Sequence, residues 1–286
     1  MAALGGLAAL AGILWLALFL AVNDMGVPLQ GGRRGFERPK AVLGVFAHPD
    51  DEIMVAGTLC KWRRQGARVH LLYLTHGEDG PTGGLVDKKD LGPAREKELG
   101  EVRKILNADS LTVLGYPDRH LDAVPEETVQ AEIKKEIGRC GPDAVICFDA
   151  TIGLYGHTDH AWAGRCCQSL LAKDPGPVRL QLVMTLPRRM IALAKKASRT
   201  FRERYRDEDG LPGANAAVAI RSAGRQKKLA ALAHRTQRQV VGDVQPLLPQ
   251  TPAAIYYRIF SREYFEATEL PRAARAAEPS EHGTLR

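Results

Sequence analysis

The chain has 286 residues, 45% hydrophobic and 26% charged, which suits one sizeable α/β domain or one domain with an appendage. Its formal charge of +7 is diffuse apart from residues 188–206 and 221–238, with no basic stripe interleaved with aromatics. That excludes a nucleic-acid groove as partner and favours an anionic membrane surface or a phosphorylated substrate.

Residues 3–22 carry no charge and are rich in Leu and Ala. About 20 such residues suffice to cross a bilayer as a helix, and neither a basic leader nor a small-x-small cleavage site marks a removable signal. The expectation is a transmembrane anchor over 1–22 and a basic linker over 23–40. Arg33, Arg34, Arg38 and Lys40 follow the span, so the positive-inside rule makes this a single-pass membrane protein with a cytoplasmic catalytic domain.

The apolar run Ala41–Phe46 predicts a buried strand, and Ile53, Val55, Ala56, Leu59 and Trp62 give the apolar face of a helix. Between them lies Ala47-His48-Pro49-Asp50-Asp51-Glu52, an imidazole and three carboxylates where a strand ends and a helix starts. Taken singly, this is what a helix cap also looks like. Further strands are predicted over Arg68–Thr75, 111–114, 144–148 and 180–186, with helices over 95–106, 128–137 and 161–171. A second cluster, Gly156-His157-Thr158-Asp159-His160, lies between the fourth strand and its helix. Later come a basic amphipathic surface helix over 188–206, a helix over 227–239 carrying His234 and Gln237, and a late strand over 255–260. A catalytic domain over 41–268 would then precede a disordered tail over 269–286. Five cysteines (Cys60, Cys140, Cys147, Cys166, Cys167), odd in number and without a Cys-x-x-Cys pair, suit buried free thiols.

The alternation over 41–187 predicts an α/β fold, a Rossmann-like parallel sheet with helices on both faces. Ligands of such sheets gather at the carboxyl ends of the strands, where strand order reverses. If the first and fourth strands are neighbours, the two clusters meet there. No Gly-x-Gly-x-x-Gly follows the first strand, which removes the dinucleotide-binding reading.

Histidine with carboxylate is a ligand set that zinc prefers, and three protein ligands plus water is the catalytic pattern. His48, Asp51 and His160 supply three, with Asp50 and His157 nearby for proton transfer. That arrangement suits hydrolysis of an amide or ester through a tetrahedral oxyanion. Spacing alone does not choose between His157 and His160, and the same donors could take iron(II).

His48-Pro49-Asp50-Asp51-Glu52 with His157-Thr158-Asp159-His160 resembles the LmbE-like, or PIG-L, zinc de-N-acetylases. Weaker matches are Thr75-His76-Gly77-Glu78, Arg95 through Glu98, Leu114-Gly115-Tyr116 with Asp118, and Lys228 with His234 and Gln237. Thr236 departs from the serine usual there. Over roughly residues 41–265, the resemblance implies a hydrolase that removes acetyl from an N-acetylglucosamine conjugate. It implies His48, Asp51 and His160 as zinc ligands, Asp50 as general base and His157 as oxyanion stabiliser or proton donor, oriented by Asp159. Tyr155 would lie near the oxyanion and Arg95 would hold a polar group of the substrate; a surface salt bridge to Glu98 or Glu101 is the alternative for Arg95. An anchored, cytoplasm-facing domain resembles the member acting on N-acetylglucosaminyl-phosphatidylinositol in GPI-anchor biosynthesis. The expected partners are thus a glycolipid and the endoplasmic reticulum membrane. The alternatives are a soluble N-acetylglucosamine conjugate, or a non-catalytic membrane-anchored protein that binds sugar or lipid.

Overall fold

All six residues of Ala41–Phe46 are buried, as a strand covered on both faces requires, and they form β1. The computed structural model describes residues 2–33, 35–205 and 210–271, without the side chains of 2–5, 7, 8 and 11. Around β1 lie β2 (Arg68–Thr75), β3 (Ser110–Tyr116), β4 (Ala144–Cys147) and β5 (Leu180–Thr185), all parallel. Then β6 (Ala216–Ala219) and β7 (Arg262–Glu269) extend the sheet antiparallel, giving the order β3-β2-β1-β4-β5-β7-β6. The sheet is therefore mixed rather than wholly parallel. β1 and β4 are neighbours, so strand order reverses between them as expected.

The helices are α1 (Ala2–Val22), α2 (Ala56–Arg64), α3 (Leu91–Leu106), α4 (Glu126–Cys140), the distorted turn α5 (Gly153–Gly156), α6 (Thr158–Lys173), α7 (Arg188–Ala197), α8 (Arg199–Arg204), α9 (Gly224–Ala233), α10 (Arg238–Val244) and α11 (Ala253–Ile259). α2, α3 and α9 pack together in one layer, and α4 with α6 in the other. The core between them is Leu-, Val- and Ile-rich, with Trp62, Tyr73, Phe46 and Phe148 fully buried. All five cysteines are buried free thiols.

Three expected elements differ. Residues 255–259 belong to a helix, which Pro252 opens and Phe260 caps and which buries Tyr256 and Tyr257; the strand follows it as β7. The helix expected over 227–239 ends at Ala233 and restarts at Arg238, because Thr236 is held by Glu98 through its N–H (2.8 Å) and its hydroxyl (2.8 Å). The basic helix over 188–206 breaks at Ser198. Asp243 accepts there from the Ser198 hydroxyl (2.8 Å) and from the N–H groups of Arg199 (2.8 Å) and Thr200 (3.0 Å).

Residues 2–22 do form one uncharged helix, but among the described residues no helix is long and apolar enough to cross a membrane. The expected transmembrane span is thus not borne out. The single-pass orientation and the endoplasmic reticulum placement, which rested on that span, lose their structural support with it. Beyond residue 271, the expected disordered tail lies outside the described residues.

Candidate functional site

β1 runs straight into the first cluster. Asp50 takes a left-handed conformation (φ 101°, ψ −17°), uncommon for a residue with a side chain, and a 3-10 turn over Asp51–Met54 follows. This turn brings the Asp51 carboxylate back to accept from the His48 N–H at 2.7 Å. From the neighbouring strand, the loop after β4 and the start of α6 bring His157 and His160 to the same place.

Three side chains converge. His160 Nε2 lies 3.0 Å from Asp51 Oδ1 and 3.1 Å from His48 Nδ1, and His48 Nδ1 lies 3.7 Å from the other carboxylate oxygen, Asp51 Oδ2. Metal–ligand bonds of ~2.0–2.1 Å in tetrahedral array put donors roughly 3.3 Å apart, so the cluster has the size of a metal site. The second ring nitrogens decide the protonation. His48 Nε2 faces Asp118 Oδ1 at 3.0 Å and Asp159 Oδ2 at 3.1 Å, and His160 Nδ1 faces the Gly153 carbonyl at 3.2 Å. Each of these nitrogens has only acceptors opposite it and so carries the hydrogen. The lone pairs of His48 Nδ1 and His160 Nε2 are then left aimed at each other beside a carboxylate, an arrangement that calls for a cation. The residues fit a metal ion.

Burial opposes charging His48, yet Asp118, Asp159 and Asp51 outweigh it and hold the imidazole well above its usual range, so a metal ion would have to displace a proton from Nδ1 to use that lone pair. Burial alone would raise the Asp51 carboxyl, but His160 and His48 hold it far below the carboxylate range. His157 behaves oppositely. Burial, then the neighbouring His160 and His48, push it down to about 2, so it is neutral in ordinary buffers. It caps α6 by accepting from the Asp159 N–H at Nδ1 (3.3 Å), which leaves its proton on Nε2. Its nitrogens also lie within ligand reach of those of His48 and His160, so distance alone does not remove it from the ligand set.

Asp50 is the remaining carboxylate at the mouth of the site. Burial pushes it up to about 6, against the opposing charge of Arg95, whose Nη2 lies 3.3 Å from its Oδ1. Arg95 itself is buried rather than paired on the surface with Glu98 or Glu101. It donates to the Gly77 carbonyl (2.7 Å) and to the Pro49 carbonyl, and so clamps the loop that carries Asp50. Gly77 has φ +67°, and a side chain there would run into the Arg95 guanidinium. Tyr155 follows two residues with positive φ, Gly153 and Leu154, and packs edge-on against the His160 ring at 5.1 Å. A shallow cleft of about 160 Å³ beside His157 is lined by Asp122, Thr151, Trp162 and Arg165.

Every expected site residue thus lies in one region, though not always in the expected contact. The Asp159 carboxylate orients His48 rather than His157, and it also accepts from the N–H groups of Arg119 (2.7 Å) and Leu121 (3.3 Å). Asp118, noted only as a flanking match, shares that task. Its signal was a carboxylate just past the end of a parallel strand. Glu52 and His234 support the site from beneath, with Glu52 Oε1 2.6 Å from His234 Nε2. The other Glu52 oxygen accepts from the Tyr73 hydroxyl (2.9 Å) and the Asp50 N–H (3.1 Å). Gln237 does not reach the donors; it bonds the Pro81 carbonyl at 2.7 Å.

A family model described as "PIG-L: GlcNAc-PI de-N-acetylase" matches residues 43–171, which contain both clusters. The 1D-myo-inositol 2-acetamido-2-deoxy-α-D-glucopyranoside deacetylase of Thermomonospora curvata is 31% identical to the chain, across 85% of this chain and 95% of its own. The chain belongs to the PIG-L family. A probable N-acetyl-α-D-glucosaminyl L-malate deacetylase 2 of Bacillus anthracis is 33% identical over 47% of this chain, which spans only 60% of that relative's length. Among solved structures, the N,N'-diacetylchitobiose deacetylase of Pyrococcus horikoshii superposes with a TM-score of 0.60 over 82% of this chain and 86% of its own, at 21% identity. At that identity the likeness shows the fold alone. As a PIG-L family member, the chain is an enzyme, a metal-dependent deacetylase that hydrolyses an amide bond, and the non-catalytic alternative falls away. Both relatives' names specify N-acetylglucosamine joined to a small polyol or acid. They lend no support to the expected phosphatidylinositol substrate or GPI-anchor pathway.

Proposed function

We propose that the chain is a zinc-dependent deacetylase of an N-acetylglucosamine conjugate, with its catalytic unit in residues 41–268. The observation that carries this reading is the pair of imidazole lone pairs meeting beside the Asp51 carboxylate, with a second carboxylate, Asp50, held at the mouth. His48, Asp51 and His160 would hold the ion. When bound, it supplies Lewis acidity that polarises the amide carbonyl and lowers the pKa of water toward ~7. Asp50 takes a proton from the attacking water as its oxygen bonds to the acyl carbon. His157, neutral and protonated on Nε2, donates to the oxyanion, and Tyr155 borders the same position. As the C–N bond breaks, the amine nitrogen takes up the proton held by Asp50, and acetate leaves. Arg95 acts through Asp50 and the Pro49 carbonyl, which it clamps, rather than by gripping the substrate.

The direct test is acetate release from N-acetylglucosaminyl-inositol and from methyl N-acetylglucosaminide, with a chelator control. Release that the chelator stops and zinc restores supports the reading; no release from either by the metal-loaded chain overturns it. Iron(II) suits the same donors, so anaerobic reconstitution with each metal decides between them. The glycolipid form of the substrate remains as a second reading. One observation favours it: α1 exposes Leu10, Ile13, Leu14, Leu16 and Leu20, an apolar surface that needs cover.

A further inference from the structure

Asp149 takes no part in the chemistry above, yet it is only 3% exposed and stands two residues beyond the end of β4. Its Oδ1 accepts from the N–H groups of Thr151 (3.1 Å) and Ile152 (2.6 Å), and its Oδ2 from that of Leu154 (2.7 Å). One buried carboxylate thus gathers three backbone donors of the loop that leads to His157. The loop needs such a hold, because its tip is strained. Gly153 has φ +65°, and Leu154 follows with φ 70° and ψ −59°, a tight-turn conformation that a residue with a side chain rarely adopts.

The tip lies directly against α6. A Cβ on Gly153 would stand 2.5 Å from the Ala161 nitrogen and 2.6 Å from the His160 Cβ, so only glycine allows the approach. From there the Gly153 carbonyl accepts from His160 Nδ1 at 3.2 Å, the bond that leaves the lone pair on Nε2. Tyr155, which follows Leu154, is delivered against the His160 ring and, at 5.9 Å, against Phe201 of α8. The far end of the loop is stopped by the same helix, where a side chain on Gly156 would run into the Arg204 carbonyl.

We propose that Asp149 is a positioning residue for the deacetylation: it holds the strained Gly153–Leu154 turn in place, and the turn aims His160 and seats Tyr155. The inference rests on the deacetylase reading and adds a residue that acts on that site only through its neighbours. Without the carboxylate, Leu154 relaxes toward negative φ, and that rotation carries the 153–154 peptide, with its carbonyl, away from His160. The acceptor must be a carboxylate. In Asp149→Asn, an amide oxygen kept on Thr151 and Ile152 turns the NH2 group toward the Leu154 N–H, donor against donor.

The test loads the full chain with cobalt(II), whose visible absorption reports the geometry of its donors without any substrate. Asp149→Asn should weaken metal binding by about 10–100-fold in a chelator competition and shift the cobalt spectrum. At saturating zinc, kcat on methyl N-acetylglucosaminide should fall by about tenfold with KM little changed. Gly153→Ala, which leaves the Asp149 carboxylate in place but crowds His160, should shift the spectrum as well, and it decides alone if Asp149→Asn does not fold. Asp143→Asn is the control, since that carboxylate accepts from the N–H groups of Lys40 (3.0 Å) and Ala41 (2.8 Å) at the opposite end of β1 and β4. It should lower the denaturant midpoint and leave affinity and spectrum at native values. If Asp149→Asn unfolds more easily yet keeps the native affinity and spectrum, the carboxylate is merely structural and the inference is overturned. A native spectrum in Gly153→Ala would overturn it too, as would a shift in Asp143→Asn as large as that in Asp149→Asn. If no glycoside is turned over, the deacetylase reading fails, while affinity and spectrum still decide whether Asp149 aims His160.

Discussion

Asp50 is the residue on which the proposed chemistry turns, and its environment would set the pH range. Burial pushes its carboxyl up to about 6, and only the ionised form can take a proton from water. kcat/KM should therefore hold above pH 6 and fall about tenfold per unit below it, which a pH–rate profile with native chain and native metal will show. Asp50→Asn should lower kcat by about 10²–10⁴-fold while metal content, measured by elemental analysis, stays unchanged. Asp118 makes a different prediction. It accepts from His48 Nε2 and does not touch the three converging donors, so Asp118→Asn should weaken metal affinity by about 10–100-fold in a competition titration against a chelator. At this scale the sequence was informative because both His/Asp clusters are contiguous and each marks a strand end. What it concealed were partners from far along the chain. Nothing near Asp159 indicated that its carboxylate turns to His48, 111 residues away, rather than to His157 two residues away.

At the scale of elements, the polar contacts that break helices also carry the site. The α9–α10 break puts His234 against Glu52, whose other oxygen holds the Asp50 N–H. Both partners are fully buried, so His234→Leu leaves an uncompensated carboxylate and should destabilise the fold by about 3–5 kcal/mol, read from denaturant unfolding. The sign of its pH dependence follows from the pair. Burial lowers the His234 pKa, but Glu52 outweighs it and raises the folded value. The contribution is then fully present below the unfolded value of about 6.5 and fades as pH rises through the raised folded one, so the native and variant unfolding curves should draw together at alkaline pH. These breaks were not legible in advance, since 188–206 and 227–239 both have helical composition. Tertiary acceptors, Asp243 and Glu98, overrode that propensity. The strand expected over 255–260 failed differently: an aromatic, β-branched run follows Pro252, and the chain used the proline to start a helix.

For the molecule as a whole, the parallel half of the sheet was readable from alternation alone, because β1 to β5 are apolar runs separated by amphipathic helices. The antiparallel β6 and β7 were not, since Arg262–Glu269 mixes charge with aromatics and is buried over only part of its length. The proposed metal site would tie the two halves of the parallel region together at the strand-order reversal. A ligand that binds only the folded state stabilises it, by about 4 kcal/mol at a thousandfold excess over Kd. Chelation should accordingly lower Tm by on the order of 10 °C, and added zinc should restore it in a calorimetric scan.

The left-handed turn at Asp50 and the paired carboxylates on His48 also bear on how the chain is made. His48 and His160 stand 112 residues apart in sequence, and the acceptors that fix the His48 tautomer are Asp159, beside His160, and Asp118 from one further segment. Synthesis from the amino end delivers the first donors early and the last only when α6 has emerged. On the proposed ligand set, the nascent chain until then would hold half a coordination sphere, and loading would wait until β1 and β4 have paired, so that acquiring the metal would report a sheet already correctly assembled.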